Sequence, residues 1–394
     1  VAFPEVFKKG GFDAVIGNPP WGSEITKQEK GYLNDNYVNK NGEAESHIYF
    51  IERALKILKN ENTLGLITPN TWLAVINSKV VRDYLLTQAA FIEIKQLTKY
   101  IFDSAPDIVP VIIVIRKGHE TKNKCRAFVT EENKITADNF IKAFELINIK
   151  QELWEVDKNK VINLYLKPGV KELLDKCKLG RPILKQLCDV VYGIKTGDNS
   201  KYLTRNKTAN HNVMALKTGE LTRYTLTWKN YYLWWCKELA GYRKSEIEKP
   251  KIIVQYIRKL SLKRRIIAAL DEKGIYYPLN NYSYITTKND NSIFYILGVL
   301  NSSLINFVYA NTFIDYNIKP TFIEQLPIPN VGKNNKQLHD HLVKLVKEML
   351  KLNKTPELRQ RHAAEIAAID REIDQLVYRL YGLTPEEIKI VEGA

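Results

Sequence analysis

The chain has 394 residues, room for two or three domains with sizeable cores. Lys and Arg outnumber Asp and Glu by 59 to 44, and the net charge of +15 points to a polyanionic partner, nucleic acid before an acidic membrane surface. A composition of 45% hydrophobic and 26% charged residues excludes wholesale disorder. The four scattered cysteines, Cys125, Cys177, Cys188 and Cys236, include no CxxC pair and argue against a disulfide framework or a metal site.

Residues 1–118 predict an α/β unit. Phe12 to Gly17 is a short apolar strand that runs straight into Asn18-Pro19-Pro20-Trp21. The polar stretch 22–43 reads as an exposed loop. Ile48, Phe50, Ile51, Ala54, Leu55 and Leu58 recur at helical spacing from Ser46 onward. Gly65 to Thr68 reads as a strand, Lys79 to Leu86 as a helix, and Phe91 to Leu97 and Val109 to Ile115 as two further strands. Apolar strands alternating with helices imply a sheet covered on both faces. The last two strands lie too close in sequence for a helical crossover, so they are expected to run antiparallel. The run from Ile108 to Ile115 is the longest apolar stretch and is far too short to span a bilayer, so no membrane segment is expected. No signal peptide opens the chain, and its start at Val1 in mid-pattern suggests a fragment of a longer polypeptide.

Residues 119–165 are mixed and polar and read as a connector. From 166 to 330 the texture changes. Aromatics crowd at Tyr224, Trp228, Tyr231, Tyr232, Trp234 and Trp235, and their size favours a core over a stacking platform. Between 151 and 330, 28 basic residues face 16 acidic ones, so +12 of the +15 resides there. After Pro329 the pattern turns helical, with stripes at Leu338, Leu342, Leu345, Val346 and Met349 and at Ile366, Ile369, Ile373, Leu376, Val377 and Leu380. Pro356 interrupts them, which predicts a helical hairpin over 331–394; Gly382 ends its second helix and Thr384-Pro385 starts another.

The tetrapeptide Asn18-Pro19-Pro20-Trp21 carries the strongest chemical signal. A plain turn needs neither two prolines nor the aromatic, and the carboxyl end of a strand is where open α/β sheets bind ligands. An exocyclic amine on a base, or an amide, is a poor nucleophile because its lone pair is delocalised. Acceptors around its N–H groups favour the sp³ geometry that frees that pair. The Asn18 side-chain carbonyl and the Pro19 main-chain carbonyl are suited to this, and both bind more strongly as positive charge develops on nitrogen. Trp21 offers a face for a planar group.

The segment from Phe12 to Trp21 resembles the catalytic motif of γ-type adenine-N6 DNA methyltransferases, the group of the TaqI and Eco57I-like type IIG restriction–modification enzymes. Downstream, Tyr100 to Pro106 followed by Val109 to Lys117 is similar to that family's later motif, in which Phe102 matches an aromatic that packs on the extruded base. Val191 to Gly197, Lys217 to Tyr224, Lys249 to Val254, Leu300 to Ser303 and Glu324 to Pro329 resemble a TaqI-like specificity domain. The tail from Ile373 to Ile388 resembles type IIG carboxyl termini.

The resemblance implies a partial Rossmann-like methyltransferase sheet over 1–118, a mixed α/β DNA-recognition domain over 166–330 and a C-terminal helical region. It implies S-adenosylmethionine as cofactor, double-stranded DNA as partner and a cytoplasmic location. Asn18 and Pro20 would touch the cofactor, most of whose pocket would lie upstream of this chain. Only 17 residues precede Asn18, and they hold no glycine-rich cofactor loop, so the chain by itself is expected not to methylate. Adenine cannot be reached inside a duplex, so the resemblance also implies base flipping, with Trp21 and Phe102 clamping the base from two sides. On position alone, Phe102 reads equally as a core aromatic at a strand edge.

The densest basic run, Arg258, Lys259, Lys263, Arg264 and Arg265, reads as a phosphate-facing edge, with a merely solvated face as the plain alternative. Lys195, Thr196, Arg223 and Lys319 are further DNA-contact candidates. No zinc spacing exists among the six histidines, and Asp83 with Glu93-Ile94-Lys95 matches a nuclease spacing only by coincidence. Asn-Pro-Pro-aromatic also occurs in protein-glutamine methyltransferases, but the basic downstream domain argues for DNA. A DNA-binding specificity module with no methyl transfer of its own remains the alternative.

Overall fold

The computed structural model describes residues 3–22, 25–39, 45–98, 101–106, 108–130, 132, 135–136, 139–165, 169–236, 238–239, 247–258, 262, 264–288, 292–313 and 317–393. The chain forms two compact units, 1–171 and 172–394.

The first unit is built on a six-stranded mixed sheet. Its chain order is α1 (Pro4–Lys8), β1 (Phe12–Gly17), α2 (Lys27–Asn36), α3 (Ser46–Ile57), β2 (Leu58–Pro69), α4 (Lys79–Gln88), β3 (Ala89–Gln96), β4 (Pro110–Lys117), β5 (Lys124–Val129) and β6 (Glu145–Lys150). The strands lie in the order β1-β2-β4-β3-β5-β6. β1 runs parallel to β2, and β4 is antiparallel to both β2 and β3, as the short link between β3 and β4 requires. Val111, Ile113 and Ile115 of β4 are fully buried, which explains the long apolar run of a central strand. On α3, Ile48, Ile51, Ala54 and Leu55 turn one face into the core, while Phe50 stays half exposed.

Three expectations need correction here. Residues 119–165 are not a mere connector: β5 and β6 extend the sheet, and Trp154 is fully buried in its core. Their alternation of apolar and charged residues belongs to strands at the sheet margin. The stretch 22–43 is not all loop, because Thr26 starts α2 with a reciprocal cap: its hydroxyl accepts from Glu29 N at 3.3 Å, and Glu29 accepts from Thr26 N at 2.8 Å. Cover on both faces fails at β1, where Ile16 is 90% exposed. Among the described residues no strand pairs with the outer edge of β1.

The second unit joins two four-stranded sheets to a set of helices. One sheet contains β7 (Cys188–Tyr192), β13 (Lys251–Gln255), β14 (Ala268–Asp271) and β16 (Tyr282–Thr287). The other contains β8 (Leu203–Thr204), β9 (His211–Leu216), β12 (Tyr231–Trp234) and β15 (Tyr276–Pro278). Leu233, Tyr277, Tyr282 and Tyr284 are buried, and Trp228, Tyr231, Trp234 and Trp235 pack against the same core, so the aromatic crowd is structural. A short hairpin, β10 (Leu221–Thr222) and β11 (Thr225–Leu226), turns at Arg223 and Tyr224. Gly193 sits where the chain leaves β7, and a Cβ there would collide with the Leu279 and Tyr282 carbonyls.

The apolar stripes of Lys336–Leu352 and Ala363–Tyr381 pack as a helical pair, joined by the short helix Pro356–Arg361. Gly382 caps the second helix at φ 68°, and Thr384 opens the last one with a capping box. These helices belong to the same compact unit as the preceding sheets, not to a separate region. No single helix among the described residues is long and apolar enough to cross a membrane.

Candidate functional site

β1 delivers the tetrapeptide to the carboxyl end of the parallel pair. Gly17 lies opposite Leu66 of β2, so residues 18–21 leave the sheet beside the end of β2. Asn18 and Pro20 are exposed, Pro19 is buried and Trp21 is half-buried. The Asn18 side chain makes no hydrogen bond to another described residue and stays available to a ligand.

The loop is held from α3. Ser46, 7% exposed, donates from Oγ to the Pro20 carbonyl at 2.7 Å. The Pro20 carbonyl is thereby committed to the helix, whereas the Pro19 carbonyl is not. Nearly two turns further on, the buried Glu52 carboxylate accepts the Val38 N–H on both oxygens, at 3.1 and 3.0 Å, and pairs with Lys56 at 2.6 Å. That ties the segment entering α3 to the helix itself. His47, next to Ser46, is 0% exposed, and burial pushes its imidazole down to about 4, so it is neutral at pH 7. Neither ring nitrogen has a hydrogen-bond partner of good geometry, although Nδ1 lies 3.3 Å from Glu45 Oε2.

The second aromatic arrives from the link between β3 and β4. The Phe102 ring meets Trp21 edge to face, with centroids 5.1 Å apart and planes at 89°. The two rings thus touch each other directly. A base sandwiched between two rings needs them parallel and about 7 Å apart, two van der Waals contacts of about 3.5 Å. With perpendicular rings, a base stacked on Trp21 meets Phe102 edge to face. The indole Nε1 of Trp21 is buried with no partner.

Sequence reasoning missed Ser46, Asn70 and Gln96. Asn70 follows β2 as Asn18 follows β1, and its Nδ2 donates to Gln96 Oε1 at 3.3 Å. Gln96 in turn donates to the Tyr165 hydroxyl at 2.6 Å. A polar residue directly after a strand in Pro69-Asn70-Thr71-Trp72 was a signal of the same kind as Asn18 and could have been read. Among the described residues no His, Cys, Asp or Glu group is placed to hold a metal. Glu93 instead pairs with Arg126 and Asp83 with Lys160.

The candidate DNA contacts lie in the second unit and divide sharply. Lys195 is exposed, and the Thr196 hydroxyl donates to Asn199 Oδ1 at 2.6 Å, shaping the same polar loop. Lys319 is half-buried with its ammonium 5.3 Å from the Phe322 ring. Arg258 is half-buried and donates to the Arg264 carbonyl at 2.8 Å. Three of the arginines are not surface contacts as expected. Arg265 is 1% exposed, with its guanidinium 5.7 Å from the Tyr309 ring. Arg223 grips Asp370 with both terminal nitrogens, one at 2.8 Å. Arg264 reaches the Asn301 carbonyl at 2.6 Å, Ser303 Oγ at 2.9 Å and Asp374 at 3.2 Å. Burial opposes the charge on Asp370, but Arg223 and Arg264 outweigh it and hold the carboxyl below its usual range. A run of basic letters could not reveal carboxylates more than 100 residues away. Lys259 and Lys263 lie outside the described residues.

The tetrapeptide thus stands at a strand's carboxyl end, and a basic mixed α/β unit follows it in the chain. Comparison with known proteins makes this more particular. Residues 1–102 match the family model of the Eco57I restriction-modification methylases, and residues 213–328 match that of the TaqI-like C-terminal specificity domain. The first part of the chain is thus similar to the Eco57I-family methylases and its second to the TaqI-like specificity domain.

A protein of Methanocaldococcus jannaschii, described as a type II restriction enzyme and methyltransferase, is 26% identical over 98% of this chain and 33% of its own length. The type II methyltransferase M.TthHB8I of Thermus thermophilus is 19% identical over 83% of this chain and 75% of its own. The chain spans about a third of the length of the first of these relatives. Among solved structures, the type IIL restriction-modification enzyme MmeI in complex with DNA aligns with a TM-score of 0.63 at 14% identity, over 97% of this chain and 57% of its own. The type ISP enzyme LlaGI aligns with 0.54 at 15% identity, over 88% and 35%. Both share the fold.

Proposed function

We propose that this chain is the catalytic-motif and target-recognition part of an S-adenosylmethionine-dependent DNA adenine-N6 methyltransferase of a restriction–modification system. The observation that carries the reading is the Asn18-Pro19-Pro20-Trp21 loop at the end of β1, held by Ser46 and closed on one side by Phe102. The exocyclic amine of a flipped adenine would donate to the Asn18 side-chain carbonyl and the Pro19 carbonyl. These acceptors pull the nitrogen toward sp³ and stabilise the positive charge that grows as it attacks. Trp21 would stack on the base, and Phe102 would meet its edge. The cofactor supplies the methyl group when bound. Asn18 and Pro20 fit a role beside it, since both are exposed and the Asn18 amide is uncommitted. Lys195, Thr196, Arg258 and Lys319 are the proposed DNA contacts.

The test incubates the native protein with labelled S-adenosylmethionine and plasmid DNA and separates the nucleosides. N6-methyladenine is expected, and Asn18→Ala should abolish it. Label on cytosine N4 or on protein amide would overturn the assignment. A 2-aminopurine placed at the target base should brighten on binding if the base is flipped.

A second reading, a DNA-binding module without methyl transfer of its own, is favoured by the unpaired outer edge of β1 and the exposure of Ile16. Calorimetry with S-adenosylmethionine separates the two: binding supports the enzyme, and DNA binding without it supports the module.

A further inference from the structure

The link between β3 and β4 carries Phe102 and returns to the sheet at Val109 and Pro110. Two main-chain bonds close its feet. Leu97 N donates to the Pro110 carbonyl at 2.9 Å, and Asn70 N donates to the Val109 carbonyl at 2.9 Å. Pro110 faces Pro69 of β2. Neither proline has an N–H, so the main-chain ladder has no donor at this pair.

Side chains tie the same place. β4 lies between β2 and β3, so Asn70 and Gln96 stand on opposite sides of the returning strand. Ordinary strand spacing puts their backbones about 9.5 Å apart. Asn70 Nδ2 nevertheless reaches Gln96 Oε1 at 3.3 Å, and Gln96 Nε2 donates to the Tyr165 hydroxyl at 2.6 Å. Both amides are half-buried. They meet across the first residues of β4, where the link comes back.

The foot of the link is continuous with the aromatic ring. Ile108 N donates to the Ala105 carbonyl at 3.2 Å, and Ala105 N to the Phe102 carbonyl at 3.1 Å. These successive turns carry a shift of Val109 back to Phe102, whose ring centroid lies 5.1 Å from that of Trp21. A contact of this kind is sensitive to small shifts, since a gap of about 0.5–1 Å forfeits a quarter to a half of its attraction.

We propose that Asn70 and Gln96 form an amide clasp that holds Phe102 against Trp21, and that Gln96 is thereby a positioning residue for methyl transfer. The second part rests on the reading of residues 18–21 as the methyl-transfer loop. The clasp acts through Phe102, by fixing where its ring meets a base stacked on Trp21.

The test is a double-mutant cycle on the native protein, read by methyl transfer to plasmid DNA. Gln96→Leu should lower kcat about tenfold and leave KM for DNA within about twofold. Phe102→Ala should cause a loss of similar size. The double variant should lose no more than either alone, because both changes remove the same contact. Gln96→Glu still accepts from Asn70 and can accept from the Tyr165 hydroxyl, so it should keep most of the native kcat. Asn70→Ala replaces Gln96→Leu if that variant fails to fold, as judged by its melting curve. Losses that multiply to about a hundredfold in the double variant would show Gln96 acting apart from Phe102 and would overturn the proposal.

A second readout needs no activity. In protein labelled with fluorotryptophan, the Trp21 fluorine signal is assigned by its loss in Trp21→Phe. Gln96→Leu should shift that signal as Phe102→Ala does, because each removes the ring current of the neighbouring phenyl. An unmoved Trp21 signal in Gln96→Leu overturns the clasp. If the native protein transfers no methyl group, the functional reading fails, and the fluorine signal still decides whether the clasp places Phe102.

Discussion

His47 should make the loop-bearing unit acid-sensitive. Burial lowers its pKa from 6.5 to about 4, so the folded protein keeps the ring neutral while the unfolded chain takes up a proton near 6.5. Its contribution to stability is complete above pH 6.5 and is lost as the pH falls through 6.5 toward 4, with no further loss below. A shift of this size corresponds to about 3 kcal/mol, a large fraction of ordinary domain stability. The Glu45 carboxylate, with Oε2 3.3 Å from Nδ1, is half exposed and does not offset the burial. Because Ser46 holds Pro20, unfolding at this helix start releases the Asn18–Trp21 loop.

An NMR titration of the imidazole should therefore give a pKa near 4, and urea unfolding of this unit should show stability falling by about 2–3 kcal/mol between pH 7 and pH 4.5. His47→Leu should be within about 1 kcal/mol of the parent at pH 7, since no good hydrogen bond is lost, and should flatten the acid limb. An imidazole titrating near 6.5, or an unchanged pH slope in His47→Leu, would refute the reasoning.

Other outcomes follow from single contacts. Ser46→Ala should cost about 1 kcal/mol and lower kcat for methyl transfer several-fold with little change in KM for DNA, while Ser46→Thr restores it; equal stability loss with unchanged kcat would reduce Ser46 to a structural role. Lys251 and Asp271 form a buried pair at 2.6 Å, with the lysine 0% and the aspartate 2% exposed. Lys251→Ala should cost about 3–5 kcal/mol in urea unfolding, because it strands a buried carboxylate. Lys195→Ala should weaken DNA binding at every sequence and lower the salt slope by about one. Arg264→Ala should instead destabilise the second unit by about 3 kcal/mol or more, and an effect on the salt slope alone would contradict its ion-pair role.

β1 was legible because its signal is local: a short, mostly apolar strand, with Asp13 its one charged residue, followed by a tetrapeptide whose composition a turn does not need. The helices at 46–57, 336–352 and 363–381 were equally plain from their periodicity, the last also from Gly382 at its end. What escaped was non-local. β5 and β6 look polar in sequence because marginal strands alternate, and only the pairing of β5 with β3 and of β6 with β5 reveals them. Ser46 gave no sign of its partner, since the bond to Pro20 depends on where α3 starts relative to β1. The arginines misled for the same reason: charge is visible in a sequence, but whether an aspartate more than 100 residues later neutralises it is not.

The ion pairs of Arg223 and Arg264 also bear on how specificity can be exchanged between relatives. The TaqI-like segment ends at residue 328, yet both arginines inside it are satisfied by Asp370 and Asp374, outside it. A graft carrying only 213–328 would leave two half-buried guanidiniums without counter-charges in a foreign helical frame. The transplantable cassette is the whole of 172–394, and chimeras cut inside it should express poorly unless these four side chains travel together.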